Sequence, residues 1–257
     1  MKIRTNKDIT WCPGCFNNQI LQGTEEFLKN KNLKDFAISA GIGCHAKIFN
    51  YLNLPGLNTL HGRVIPCCLG MKIANPKLNV LGFAGDGDAY NEGIGHLIHA
   101  CRYNSNFTYV VHDNQVFALT VAQPTSTTEK GYIDKTNPFG VQTHPINPIE
   151  LMLANGCTFV ARVFADAKQI KWVLQEAHKH KGFSFIEVLQ PCIVFHPDIG
   201  YKERCYMLNK SKHDKSNLKA ALHKAKEFDY NTKKGKIPLG IFYQTKKPVF
   251  EELIRKR

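Results

Sequence analysis

The sequence predicts an α/β fold, a mostly parallel β-sheet with helices on both faces. Three observations predict it. Short apolar runs alternate with amphipathic stretches of about ten to fifteen residues over positions 17–190, the pattern of βαβ units. Two of those runs stop at polar turns, Gly85-Asp86-Gly87-Asp88 and Asp113-Asn114, where ligands bind along the C-terminal edge of such sheets. The 257 residues are 43% hydrophobic and 11% aromatic, which supplies a sizeable core and excludes a mainly disordered chain.

The elements follow in order. Residues 1–15 are polar and end in Trp11-Cys12-Pro13-Gly14-Cys15, a loop able to present two sulfurs together. Residues 17–29 read as an amphipathic helix with Ile20, Leu21, Phe27 and Leu28 inward. A short buried strand at 36–39 runs into Gly41-Ile42-Gly43-Cys44. A second strand is expected at 79–84, a helix at 94–103 and a third strand at 107–112. Residues 124–145, rich in Thr, Pro and Gly, read as a long surface loop.

A helix at 148–154, a strand at 158–163, a helix at 167–178 and a strand at 183–189 complete the alternation. Beyond Pro191 the pattern becomes a less regular tail. It holds one helix, about 215–228, whose Leu218, Leu222 and Phe228 read as a docking face. The chain thus divides into residues 1–190 and a C-terminal extension, 191–257. It shows no internal repeat and no low-complexity segment.

Charge and cysteines bound the setting. Lys+Arg number 34 against 21 Asp+Glu, a formal charge of +13. That fits nucleic acid, a membrane surface or an acidic protein and selects none of them. Lysines concentrate after position 200, at Lys210-Ser211-Lys212, Lys233-Lys234-Gly235-Lys236 and Lys246-Lys247. No apolar run approaches the roughly 18–20 residues of a bilayer span. The charged start lacks the apolar stretch of a secretory signal, so a reducing cytoplasm is expected. There, nine cysteines point to metal or catalytic use before disulfides.

Two constellations carry chemistry. Gly85-Asp86-Gly87 follows a strand and precedes a helix, and Asn114 ends the next strand after one crossover. Parallel pairing brings both side chains to one sheet edge. The glycines admit backbone N–H groups to a phosphate, and a carboxylate with an amide oxygen suits Mg²⁺. An ordinary tight turn with a capping aspartate is the competing reading. The second constellation is sulfur: Cys12 and Cys15 in a C-x-x-C, Cys44 at a strand end, and Cys192 after the last strand. Four thiolates suit Zn²⁺ or an iron–sulfur cluster; a thioredoxin-like pair would leave Cys44 and Cys192 idle. Cys67, Cys68, Cys101, Cys157 and Cys205 read as structural. His96 and His99 lack a third ligand. Gly41-Ile42-Gly43 lacks the third glycine of a dinucleotide fingerprint, and no Gly-x-Ser-x-Gly motif occurs.

Taken together, Trp11-Cys12-Pro13-Gly14-Cys15, Gly41-Ile42-Gly43-Cys44, Leu60-His61-Gly62-Arg63, Gly70-Met71-Lys72-Ile73-Ala74-Asn75-Pro76 and Gly85-Asp86-Gly87-Asp88 resemble the β subunit of 2-oxoacid:ferredoxin oxidoreductases. Asp113-Asn114-Gln115, Leu119-Thr120, Gln123-Pro124-Thr125 and the tail Ile237-Pro238-Leu239-Gly240-Ile241-Phe242-Tyr243 continue the match in order over nearly the whole chain.

The resemblance implies a thiamine diphosphate-binding fold, three-layered αβα, with a C-terminal extension. It implies that Cys12, Cys15, Cys44 and Cys192 hold a [4Fe–4S] cluster. Asp86, Asn114 and the Val116 carbonyl would bind Mg²⁺. Ile42, Gly43, Cys44, His45, His61, Gly87, Asp88, Ala118 and Leu119 would line the cofactor, and Lys47 and Arg63 would lie toward the substrate carboxylate. The implied activity is coenzyme A-dependent oxidative decarboxylation of a 2-oxoacid to acyl-CoA, with ferredoxin as acceptor. No glutamate for activating the cofactor can be nominated. The resemblance assigns that residue to a partner α, or fused γ–α, subunit, so the chain alone should be inactive.

Phe16 and His45 stand where smaller residues are expected, and Ala89, Asn91, Ala118 and Ala122 replace expected glycines. Val121 replaces a polar residue, which bears on substrate and coenzyme A handling. Two alternatives remain at this stage. One is a divergent thiamine enzyme with another oxoacid or no coenzyme A; the other is a basic nucleic-acid-binding protein with a structural Cys₄ zinc site. Membrane attachment is not expected.

Overall fold

Each central strand is buried on both faces, as a sheet sandwiched between helix layers requires. A computed structural model describes residues 2–197, 201–208, 213–231 and 234–255. The lysines of 210–212 and Lys233 lie outside the described residues.

In chain order the strands are β1 (Phe36–Ala40), β2 (Gly56–Asn58), β3 (Asn79–Gly85), β4 (Thr108–Asp113), β5 (Val116–Phe117) and β6 (Gln123–Pro124). Then come β7 (Phe159–Phe164), β8 (Ser184–Leu189), β9 (Cys205–Met207) and β10 (Ile237–Gln244). The helices are α1 (Asn17–Leu28), α2 (Ile48–Tyr51), α3 (Val64–Ala74), α4 (Ile94–Tyr103) and α5 (Pro148–Ala154). They continue with α6 (Ala167–Lys179), α7 (Tyr201–Arg204), α8 (Leu218–Ala225) and α9 (Phe250–Leu253).

Eight strands form one sheet in the order β2-β1-β3-β4-β8-β7-β10-β9. Every pairing in it is parallel except β10 with β7. Alternation along the strands splits the core in two. Leu81, Phe83, Val110, Ile186 and Val188 face the layer of α1 and α6, which lie against each other. Val80, Ala84, Tyr109, Val111 and Phe185 face the layer of α3, α4, α5 and α8. Capping fixes the helix starts. Asn147 accepts from Glu150 N–H ahead of Pro148, and Asp166 accepts from the N–H groups of Lys168 and Gln169.

The structure departs from the sequence reading mainly after Pro191. The tail is not simply irregular, since β9 and β10 complete the sheet. Pro238 and Gly240 interrupt the apolar run of β10 and disguise it, and its register against β7 shifts between Ile241 and Tyr243. The tail helix is shorter than expected because Asn217 caps it, its side chain accepting from Ala220 N–H. Leu218 is exposed, and Ala221 and Ala225 make the buried contact in its place. Helix α3 was not anticipated, because it is apolar around its girth. The long loop is only partly superficial: Thr125, Thr127 and Thr128 are buried.

Candidate active site

The C-terminal edge of β3 and β4 builds the site. Gly85 pairs with His112 in the sheet, so Asp86 and Asn114 emerge beside each other. After Asp86 the chain makes a single π-turn, Gly87–Asn91, a distortion common at functional sites. A Cβ on Gly87 would stand 2.1 Å from the Phe117 ring, and one on Gly41 would stand 1.7 Å from Asp88 Oδ2. Glycine at both positions is therefore a matter of space.

Asp88 ties the surrounding loops together. Its Oδ1 accepts from Gly62 N–H at 2.6 Å and lies 2.8 Å from His61 Nδ1, while its Oδ2 lies 3.4 Å from His45 Nε2. Asp86 is 2% exposed and accepts from Thr125 Oγ1 at 2.6 Å. Burial still pushes its carboxyl up to about 7, against the hydrogen bonds that favour the anion. Burial, helped by the neighbouring Asp86 and Glu187, also raises Asp113, which accepts from Thr127 Oγ1 at 2.9 Å. Buried carboxylates without enough positive charge are a donor set in want of a cation.

Asn114 turns the chain. Its Oδ1 accepts from Val116 N–H at 3.0 Å, and Gln115 beside it is left-handed at φ 60°. The Gln115 side chain donates to the carbonyl oxygens of Thr127 and Tyr230 and accepts from Tyr201 O–H.

One cleft of about 100 Å³ gathers most of the residues singled out by sequence. Ile42, Gly43, Cys44, His45, His61, Gly87, Asp88, Ala118 and Leu119 line it, together with Asp86, Asn114 and Val116. Lys47 and Arg63 do not. Lys47 Nζ donates to Thr10 O at 2.9 Å, and Arg63 Nη1 donates to Gly62 O and Glu92 O at 3.4 and 3.3 Å. Asn17, His112, Phe117, Thr120 and Gln190 also line the cleft and were missed. His112 and Gln190 sit at strand ends on the same edge, a rule that would have found them. Asn17 carries no comparable signal.

Three segments carry the four cysteines, and they lie close together. Trp11 Nε1 donates to Cys44 O at 2.7 Å, and Cys15 N–H donates to Cys12 O at 3.0 Å. A Cβ on Gly14, between Cys12 and Cys15, would lie 3.7 Å from Ile193 Cδ1 beside Cys192. Burial raises the Cys15 and Cys44 thiols, and each feels the other three cysteines or a pair of them as further negative charge. Among the described residues, no three His, Cys, Asp or Glu side chains stand ready around a single metal ion. Phe16 leaves the cleft and packs edge-on against Phe164, centroids 5.4 Å apart. Val121 and Ala122 take φ of 73° and 82°, where glycine would be free of strain.

Residues 41–188 match the family described as thiamine pyrophosphate enzyme, C-terminal TPP binding domain. Residues 200–257 match the family of the C-terminal part of the pyruvate ferredoxin oxidoreductase beta chain. The chain is 38% identical over 252 residues to the 2-oxoacid:ferredoxin oxidoreductase subunit beta of Saccharolobus solfataricus, covering 91% of this chain and 81% of that one. It is 39% identical over 186 residues to the 2-oxoglutarate synthase subunit KorB of Archaeoglobus fulgidus, covering 71% and 69%. A solved 2-oxoglutarate:ferredoxin oxidoreductase from Magnetococcus marinus, with 2-oxoglutarate, coenzyme A and succinyl-CoA bound, superimposes with a TM-score of 0.92 at 31% identity, over 99% of this chain and 87% of that one.

Proposed function

The chain belongs to the β-subunit family of 2-oxoacid:ferredoxin oxidoreductases, and on that premise we propose how its residues divide the work. It is the β subunit of such an oxidoreductase, and its thiamine pyrophosphate-binding domain supplies the cofactor site. The observation that carries the assignment is the emergence of Asp86 and Asn114 side by side at the ends of β3 and β4, over one cleft. Asp86, Asn114 and the Val116 carbonyl would hold Mg²⁺ against the diphosphate. The buried, cation-poor carboxyl of Asp86 supports that role, since oxygen donors with phosphate are the ligands Mg²⁺ takes.

Thiamine diphosphate, when bound, supplies the nucleophilic carbon and the electron sink for decarboxylation. A [4Fe–4S] cluster on Cys12, Cys15, Cys44 and Cys192 would supply the electron outlet. This chain's residues do the rest. Asp88 holds His61, His45 and the Gly62 backbone in one arrangement, which shapes the wall of the cleft. Leu119 and Ile42 bring apolar surface to its mouth, being 51% and 41% exposed.

That apolar mouth suits burial by a partner α subunit, which would bring the activating glutamate. The small cleft supports the same reading, because sites that enclose a ligand run to roughly 300–1,000 Å³. Lys47 and Arg63 would reach the substrate carboxylate only after local rearrangement in the complex. Ferredoxin as acceptor and a cytoplasmic setting complete the proposal. Among the described residues, no helix is long and apolar enough to cross a membrane.

The test is anaerobic co-purification with the α subunit, followed by a panel of 2-oxoacids with coenzyme A and a viologen acceptor. Reduction is expected with at least one oxoacid from the complex and none from the single chain. A brown complex that reduces nothing with any oxoacid sinks the substrate assignment.

A further inference from the structure

The segment carrying Cys192 and the loop carrying Asn114 meet at one imidazole. His196 N–H donates to Cys192 O at 2.9 Å and closes a short turn, inside which Phe195 N–H donates to Cys192 Sγ at 3.4 Å. The His196 side chain leaves that turn. Its Nδ1 lies 3.2 Å from the Asn114 carbonyl oxygen and its Nε2 lies 3.0 Å from Glu129 Oε1. Tyr132 meets the ring edge-on with centroids 4.9 Å apart, and its hydroxyl donates to Phe195 O at 3.2 Å. The ring is 6% exposed. With both nitrogens engaged and the ring packed against Tyr132, a shift of the 192–196 turn is passed on to the Asn114 carbonyl.

We propose that His196 is a positioning residue that couples the cysteine set to the magnesium–diphosphate site, so that filling one orders the other. The inference rests on the cofactor reading above. A cluster bonded to Cys192 immobilises the 192–196 turn, and the turn aims the imidazole. The imidazole then fixes the backbone carbonyl of Asn114, in the same tight turn as the proposed carbonyl donor at Val116. Coupling between two sites is reciprocal. One hydrogen bond to a buried carbonyl sets its size at about five- to tenfold in affinity.

The test uses the assembled complex with its α subunit, purified anaerobically. Mg²⁺ is titrated calorimetrically at fixed thiamine diphosphate, before and after a chelator strips the iron. Stripping is expected to weaken Mg²⁺ binding about five- to tenfold in the wild type. It should do the same in His196→Asn, whose amide keeps a donor where Nδ1 stood, and less than about twofold in His196→Phe. A second measurement covers the case in which the stripped protein unfolds: thiamine diphosphate with Mg²⁺ should protect the cluster from chelator in the wild type and not in His196→Phe. Equal Mg²⁺ affinity with and without iron in the wild type, or undiminished coupling in His196→Phe, overturns the proposal. Absence of iron from the wild-type complex removes its premise, the cluster itself.

Discussion

Thr125 reaches across from the long loop and donates its hydroxyl hydrogen to Asp86 Oδ2 at 2.6 Å. The contact joins residues from separate elements inside the buried polar core of the site, and it orients the carboxylate that we assign to Mg²⁺. Removing such an outer partner weakens metal binding by about 10- to 100-fold in general. Thr125→Val is therefore expected to weaken Mg²⁺ binding by about tenfold while leaving the fold intact. Calorimetric titration of Mg²⁺ into the complex with thiamine diphosphate checks it; unchanged affinity would mean that Asp86 does not bear the ion.

A second expectation concerns the sheet's centre. Arg162 and Glu187 are fully buried and paired at 2.6 Å, and Tyr230 O–H donates to the same carboxylate. The pair alone is weak grounds for stability, but breaking it leaves a charge stranded. Arg162→Met should destabilise the protein by about 3–5 kcal/mol, because Asp113 and Glu187 then face each other uncompensated. Urea unfolding of the two proteins measures the difference, and a loss below about 1 kcal/mol would show that water or a second cation serves in place of Arg162.

Strain at the cleft mouth gives a third. Val121 holds φ 73° with its side chain 57% exposed, so little packing opposes a change. A β-branched residue in the left-handed region carries about 1–2 kcal/mol of strain, and asparagine tolerates that region. Val121→Asn is expected to stabilise the chain by about 1 kcal/mol. A fall in melting temperature on substitution would show that the valine is held by contacts stronger than its strain.

Acid stability supplies the fourth. His180 accepts or donates at Thr158 Oγ1, 2.9 Å away, and burial pulls its pKa down to about 4. The native state keeps the ring neutral while the unfolded chain titrates near pH 6.5. The unfolded state thus binds the extra proton between those values, and stability rises with pH there. The contribution is fully present above about pH 6.5 and fades as pH falls toward about 4. His180→Gln should flatten the slope of unfolding free energy against pH in that window. An unchanged slope would assign the acid sensitivity to other groups.

The parts of the molecule that could be read in advance are those where local pattern and global placement coincide. Strands β3 and β4 announce themselves because an apolar run stops at Gly85-Asp86 and again at Asp113-Asn114, and one crossover forces both ends to the same edge. Strand β10 hides behind Pro238 and Gly240. The buried threonines of the long loop hide for another reason: Thr125, Thr127 and Thr128 look like turn residues until Asp86, Asp113 and the Gln115 carbonyl give their hydroxyls acceptors. Asn17 enters the cleft only because His112 Nδ1 meets its Oδ1 at 2.8 Å, a meeting across 95 residues of chain that no local spacing encodes. Lys47 and Arg63 were expected toward substrate, and in the isolated chain they are tied to backbone carbonyls instead.

The grip on Gln115 bears on how the protein is made. The residue between Asn114 and Val116 donates to Tyr230 O, 115 positions later in the chain. During synthesis the earlier strands can begin to pair and their helices can dock as they emerge, since domains assemble as the chain lengthens. The turn at Gln115 cannot take its finished form then, because its partner has not yet been translated. A nascent chain therefore carries an unfinished turn at this site until Tyr230 has been added, and cofactor loading waits for that residue.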